Sequence, residues 1–376
     1  MFKLLRIENF KCFSGKTSIP LSKLTVCTGM NSVGKSTLIQ ALLLLKQSHE
    51  SLGKFKELNV LLNTDALKLG STNQIMLTDK MVLALDEEWI EYSAGDDKLS
   101  LVIKKMSSLS TLIDMVDDEF SIDDIEVNPI DQNDFYYLNA ERLGPRNYQQ
   151  MKSHDVLHCG YHGEYTFDVI EKNPLFFVSD NRKFKSDSEK KISDLNKQID
   201  YWMSYIVNGV EVNFSSDITT QLSQMKVRQA ALDTPFNSPY NFGFGISYVL
   251  PIIVTGLIAN TNSIIIVENP EAHLHPAGQS RIGEFLAQMA TDDLQIVIET
   301  HSEHVINGIR KFALKNQMSA EDICINYFNI ELGNHTVSRL PLNERMDILK
   351  WPEGFFDQES KDLRELRELR SMKNDL

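Results

Sequence analysis

Residues 29–36 read GMNSVGKS, a full match to G-x-x-x-x-G-K-[ST], and Thr37 follows. Few short strings constrain a fold so tightly, because this loop works only between a strand and a helix. The flanks have that form: LTVCTG before it is β-like, and STLIQALLLLKQSH behind it is strongly helix-forming. Gly29 and Gly34 let the backbone curl, so that the N–H groups of a loop that includes Asn31, Ser32 and Thr37 face phosphate oxygens. The helix start adds its positive end. Lys35 is expected to bridge the β- and γ-phosphates, and Ser36 to offer its hydroxyl to Mg²⁺.

Further motifs lie in the last third of the chain. In SIIIVENPEAHLHP, apolar residues Ile264 to Val267 end in Glu268, where the chain leaves the sheet. An acid in that place holds Mg²⁺, directly or through water. A second acid usually follows and polarises the attacking water; here Asn269 stands instead, and Glu271 is the nearest spare carboxylate to act as base. QIVIETHSEH repeats the pattern and ends in Thr300, His301 and Ser302, with His301 placed to sense a γ-phosphate. Ahead of both, NFGFGISYVLPIIV sets Gly243 and Gly245 before Ser247 and an apolar helix-like run, a second candidate anion-binding helix start.

At 376 residues the chain is expected to hold two or three domains. It divides into an ATPase lobe at 1–80, an insert, lid or helical lobe at 81–240, a block completing the core at 241–350, and a tail at 351–376. The net charge is −14, but Asp86 to Asp134 carries 15 acidic and 3 basic residues, so the remainder is close to neutral. Global acidity therefore argues only weakly against nucleic acid, and Arg182, Lys183, Lys185, Lys190 and Lys191 form a basic cluster that reads first as solvated surface. SDSEKKISDLNKQIDYWMSYIV has Ile192, Leu195, Ile199, Trp202 and Ile206 on one stripe, the pattern of an amphipathic helix of about 20 residues. LRELRELR near the end reads as a solvated helix. Four scattered cysteines without a CxxC pair argue against a disulfide framework, and no signal-peptide core or apolar run of about 18 residues is present, so a cytoplasmic, membrane-free protein is expected.

The order of phosphate loop, insert, glycine loop, acidic strand and histidine strand resembles that of the ABC ATPases, and the details are similar to the SMC/RecF branch, including OLD-type ATPases. LLRIENFKCF looks like the first strand of that branch, NFGFGIS stands in its signature place, ENPEAHLHP looks like its Walker B and D-loop, and ETHS like its switch histidine. YLNAERLGPR, GEYT, GFGISYVLP and WPEGFFDQ together resemble a narrower ATPase group long catalogued only as a domain of unknown function. The resemblance implies an α/β P-loop head with a mixed, mostly parallel central sheet flanked by helices. It implies ATP and Mg²⁺ as cofactors, nucleotide roles for Lys35, Ser36, Glu268 and His301, and a trans-acting signature role for Gly243, Gly245 and Ser247. It also implies a head-to-tail homodimer that regulates a partner effector. Relatives of this type are encoded in antiphage defence operons, often beside a nuclease or toxin, while others serve DNA repair.

Asn269 departs from the usual catalytic glutamate and puts the hydrolysis rate in question. Gln74, after LKLGSTN, is the candidate Q-loop residue. The helix near residue 200, near 30 Å at 1.5 Å per residue, is too short for a coiled-coil arm. The tail from Trp351, about 25 residues with WPEGFFDQ included, is expected to leave no room for an effector, and no TOPRIM-like or HNH-like pattern follows the ATPase motifs. His154, His158, Cys159 and His162 match no standard zinc spacing, and His273 and His275 read as a D-loop leading into a helix at Pro276. Three functions stand at this point: an ATPase switch acting on an effector, a RecF-like repair ATPase that binds DNA itself, and a nucleotide-binding scaffold of low turnover.

Overall fold

The apolar runs recognised as strands are short, continuous and β-branched, the composition of strands covered on both faces. A computed structural model places them, describing residues 1–52, 59–78, 80–86, 88–94, 98–105, 135–151, 157–185, 192–232, 234–352 and 354–374. The chain runs through β1 (Leu4–Glu8), β2 (Thr17–Pro20) and β3 (Leu24–Gly29) into α1 (Lys35–Leu52). Then come β4 (Asn59–Leu61), the single turn α2 (Thr72–Ile75), β5 (Lys80–Leu85), β6 (Glu88–Ala94) and β7 (Lys98–Lys105). The middle holds β8 (Phe135–Leu138), β9 (Tyr148–Gln150), α3 (Thr166–Lys172), α4 (Leu195–Ile206), β10 (Val210–Asp217) and β11 (Leu222–Gln229). The last third runs α5 (Gly245–Ile258), β12 (Ile264–Glu268), α6 (Pro276–Met289), β13 (Gln295–Glu299), α7 (Glu303–Asn316), β14 (Ile323–Glu331), β15 (Asn334–Leu340) and α8 (Gln358–Asn374).

The central sheet has the order β15-β14-β3-β13-β12-β8. Every pairing in it is parallel except β14 with β15. The expected α/β architecture, mixed and mostly parallel, is thus present. Two features of this order position the site. Strand β3, which feeds the phosphate loop, lies between β13 and β14, so β12 is one strand removed from it. In addition, Glu268 on β12 is in register with Glu299 on β13, and Glu299 with Cys27 on β3.

Each face of this sheet has its own core. On one face α1 contributes Leu38, Leu42 and Leu45, which join Leu5, Ile7 and Phe10 of the N-terminal region and Val297 of β13. An antiparallel sheet of order β2-β1-β5-β6-β7-β4 stands on this side. On the other face Ile296 and Ile298 of β13 meet Ile253 of α5, Phe285 of α6 and Ile309 of α7. Alternation along β13 sends Val297 one way and its neighbours the other. A third, smaller sheet, β10-β11-β9, and α3 pack beyond α4 on the second side.

Segment 81–240, read as an insert, contributes strands to both larger sheets: β5 pairs with β1, and β8 is the edge strand of the central sheet. The acidic run begins inside the antiparallel sheet, where Asp86 Oδ1 accepts from the backbone N–H groups of Lys3 and Leu4 at 2.8 and 2.9 Å. Strands β6 and β7 continue that sheet; residues 106–134 lie outside the described residues. The amphipathic helix is shorter than its stripe. Asp194 caps α4 by accepting from Lys197 N at 3.0 Å, so Ile192 precedes the helix, while Leu195, Ile199, Trp202 and Ile206 are buried. At 12 residues it spans about 18 Å. The tail helix α8 is exposed along its described side chains, as LRELRELR suggested. Among the described residues, no helix is long and apolar enough to cross a membrane.

Candidate functional site

The phosphate loop is curled by three residues with positive φ: Gly29 at 139°, Ser32 at 63° and Gly34 at 108°. Glycine is required at the first for contact as well as conformation, since a Cβ on Gly29 would lie 2.2 Å from the Phe328 carbonyl oxygen on β14. Such a curl aims successive N–H groups inward and makes an anion-binding concavity at the start of α1. Lys35 is 3% exposed, and its ammonium donates to the carbonyls of Gly29 at 3.0 Å and Met30 at 2.6 Å. Burial lowers its pKa, with Glu299 opposing that shift. Ser36 Oγ donates toward Glu299, 3.1 Å from each carboxylate oxygen.

A cavity of about 340 Å³ lies against the loop. Asn31, Ser32, Gly34, Lys35, Ser36 and Thr37 line it together with Lys11, Cys12, Gln40, Glu299 and His301. Lys11 is held there by a 2.6 Å hydrogen bond to Gln40 Oε1. His301 sits at the exposed rim, where partial burial and the Lys35 charge hold its imidazole below the ordinary range, an effect that solvent access keeps small. Gly29 does not line the cavity.

Glu268 and Glu299 stand side by side at the carboxyl edge of the strands. Glu268 accepts from Tyr137 Oη at 2.9 Å and from Ala140 N at 3.3 Å. Burial raises its pKa against the pull of those bonds. Glu299 is pushed up to about 7, by burial first and the charge of Glu268 next, against the pull of Lys35 and Ser36. Glu271 faces the loop after β13: one oxygen accepts from Thr300 Oγ1 at 2.7 Å and the other from His301 N at 2.8 Å. Ser302 caps α7, accepting from His304 N and Val305 N, and donates to Gln279 of α6 at 2.6 Å. Asn269 has φ 43°, and its buried Oδ1 has no hydrogen-bond partner.

Neither Glu268 nor Glu271 lines the phosphate cavity itself, and the remaining candidates lie farther off. Gly245 opens α5 against the Walker B turn, where a Cβ would come within 2.8 Å of the His273 carbonyl oxygen. Gly243 is exposed and Ser247 half-buried, and neither they nor Gly245 line the phosphate cavity. Gln74 is spent locally, its Oε1 accepting from Ser71 N at 2.8 Å. His275 caps α6, and His273 packs edge-on to Tyr248 with ring centroids 4.6 Å apart. His158 stacks on Tyr136, Cys159 is buried, and His154 lies outside the described residues; among the described residues no group of three or more His, Cys, Asp or Glu is placed to hold a metal. The basic cluster is partly structural: Arg182 is buried and paired with Asp292 at 2.7 Å, while Lys190 and Lys191 lie outside the described residues.

Two important residues escaped the sequence reading. Glu299 stands just before Thr300 in QIVIETHSEH, but the string alone does not place its strand beside β3. Arg142, within YLNAERLGPR, is buried and donates to four carbonyls: Tyr248 of α5 at 2.9 Å, Asn139 at 2.8 Å, Glu268 at 2.6 Å and Asn269 at 2.7 Å. It ties the glycine-loop helix to the Walker B turn.

Residues 1–237 match the family described as AAA ATPase domain. Residues 169–307 match an AAA domain described as putative AbiEii toxin, Type IV TA system, and residues 318–366 a family of unknown function, DUF3696. The Old nuclease of Escherichia phage P2 is 21% identical over 188 residues, covering 46% of this chain and 30% of the nuclease, so the likeness spans less than a third of that protein. The fold is similar to an SMC head solved bound to the C-winged helix domain of ScpA, with TM-score 0.54 and 12% identity over 92% of this chain and 99% of that one. It is also similar to a Pyrococcus furiosus Smc head with an extended coiled coil bound to the C-terminal domain of ScpA, with TM-score 0.53 and 12% identity over 97% and 99%.

Proposed function

The chain belongs to the AAA ATPase domain family, and from that premise we propose that it binds Mg-ATP in the phosphate-loop cavity and hydrolyses it. In this reading ATP pairs two copies head to tail, and the pair controls a partner effector. One observation carries it: the curled loop, the Ser36–Glu299 pair and His301 converge on one cavity at the carboxyl edge of parallel strands, the place where open α/β sheets bind ligands.

The donors suit the cofactor. The Ser36 hydroxyl and the carboxylates of Glu268 and Glu299 are hard oxygen ligands of the kind Mg²⁺ takes together with phosphates and water. When bound, Mg²⁺ neutralises charge on the β- and γ-phosphate oxygens. Lys35 exchanges its loop carbonyls for phosphate, and the loop N–H groups fix the chain of phosphates. His301 faces the γ-phosphate end. Glu271, which holds the switch loop through Thr300 and His301, is the candidate base and ties that loop to the Walker B turn. Asn269 supplies a neutral amide where a second acid usually stands, which favours slow turnover and keeps the low-activity scaffold as a second reading.

Support for pairing comes from the separation of the signature residues Gly243, Gly245 and Ser247 from the cavity of their own chain. Support for a protein partner comes from the two SMC heads solved with pieces of ScpA. The likeness to a phage nuclease and to a toxin-type AAA family supports a nuclease or toxin as that effector, in antiphage defence. ATP titration by calorimetry tests the core of the reading. Wild-type protein should bind ATP with Mg²⁺, and folded Lys35→Ala should bind it at least about a hundredfold more weakly, as expected for losing a buried charge partner of the triphosphate. Equal affinity of the two proteins would overturn the assignment.

A further inference from the structure

The tips of β12 and β13 present two carboxylates to one edge. Glu268 and Glu299 are in register, and in-register residues of neighbouring parallel strands share a face about 4.8 Å apart. Two acids so placed, with Glu299 only 6% exposed, repel each other through a poorly screening medium. A cation seated against them offsets that repulsion. The two differ in what they reach. Glu268 turns toward Tyr137 and Ala140. Glu299 lies one strand nearer the phosphate loop and shares the Ser36 hydroxyl, 3.1 Å from each of its oxygens.

We propose that Glu299, rather than Glu268 alone, is the principal carboxylate that seats the divalent cation of Mg-ATP beside Ser36, with Glu268 as the outer member of the pair. The proposal rests on the reading of this cavity as an ATP site. Its reason is contact: Glu299 already meets the loop hydroxyl of Ser36 through both oxygens, whereas Glu268 is held by Tyr137 and Ala140. Magnesium is held through one or two carboxylates together with phosphate oxygens and waters, and a serine hydroxyl shared with a carboxylate is half of such a set.

The experiment measures ATP binding to the full chain by calorimetry, in EDTA and across a Mg²⁺ series, for wild type, Glu299→Gln, Glu268→Gln and Lys35→Ala, with melting curves for each. For Glu299→Gln, ATP binding in EDTA should be kept or strengthened, because a negative charge beside the phosphates is gone. The Mg²⁺ concentration for half-maximal effect should rise about tenfold or more, the usual scale for altering a metal's immediate support. Glu268→Gln should shift it less. Should Glu299→Gln fail to fold, Glu299→Asp and Ser36→Ala replace it, each expected to raise the Mg²⁺ requirement while sparing metal-free binding. An unchanged Mg²⁺ requirement in a folded Glu299 variant, or a larger shift in Glu268→Gln, overturns the proposal while leaving the ATP site intact. Wild-type protein that takes up no ATP under any metal condition removes the ATP reading and the proposal with it.

Discussion

The chain opens two helices from glycine loops, and the two loops use glycine for different reasons. Before α1, Gly29 and Gly34 both have positive φ, with Ser32 in the same region between them, and the backbone is wound into a cup. Before α5, neither Gly243 nor Gly245 has positive φ; Gly245 is small because the His273 carbonyl presses on it, and Gly243 has no atom within 4 Å of a built Cβ. The first loop needs glycine for conformation, the second for proximity to the Walker B turn. In sequence the two strings look alike, as glycines ahead of a helix with a serine. In the structure only the first forms an anion cup by itself, and the second presents a helix start that needs another surface to face.

Substitutions graded across the two loops test that difference. Gly29→Ala should have the largest effect: a strained φ and a 2.2 Å contact should cost at least about 3 kcal/mol, read as a lower denaturation midpoint with loss of ATP binding. A Gly29→Ala protein of normal stability would break the conformational half of the comparison. Ser247→Arg comes next, and should leave ATP affinity within about threefold while cutting turnover about 10²–10³-fold, the scale for losing a transition-state donor. Mixed in equal amounts with Lys35→Ala, it should regain up to about a quarter of wild-type turnover, since half the dimers would then hold one intact site of two. Recovery absent from demonstrably mixed dimers would argue against independent shared sites, and full activity of Ser247→Arg alone would remove its signature role. Gly245→Ala should cost about 1–3 kcal/mol through the clash with His273, visible in chemical denaturation. The smallest effect belongs to Gly243→Ala, within about 0.5 kcal/mol of wild type; a loss rivalling that at Gly29 would show that the second loop is conformationally demanding after all.

What could be read from the amino-acid string follows the same line. The phosphate loop was legible because its parts are contiguous: strand, glycines, Lys35, Ser36 and helix follow one another, and local geometry carries the function. The α/β class was legible from the apolar strands and their order. Glu299 was not, because its role depends on which strand lies next to β3, a fact of sheet order rather than of spacing. Arg142 escaped for a similar reason: its four carbonyl partners come from three separate stretches of chain, and an arginine in a polar string carries no mark of burial. The full stripe of α4 overstated the helix because hydrophobic spacing continues past Asp194, whose side chain ends the helix by bonding Lys197 N.

The neighbours of β3 have a consequence for how the protein is made. Residues 24–29 leave the ribosome well before their partners in the sheet, residues 296–299 and 323–328. At roughly 5–20 residues per second of synthesis, about 270 residues of delay means some 14–54 s during which both edges of this strand lack their final partners. Pairing across such separations is intrinsically slow and exposes apolar edges to other chains. A nascent fragment that contains the whole phosphate loop is therefore still without Glu299 and His301, which line the cavity with it. The cavity is thus completed late in synthesis, and a product terminated before β13 carries the glycine loop without the residues that close the cavity around it.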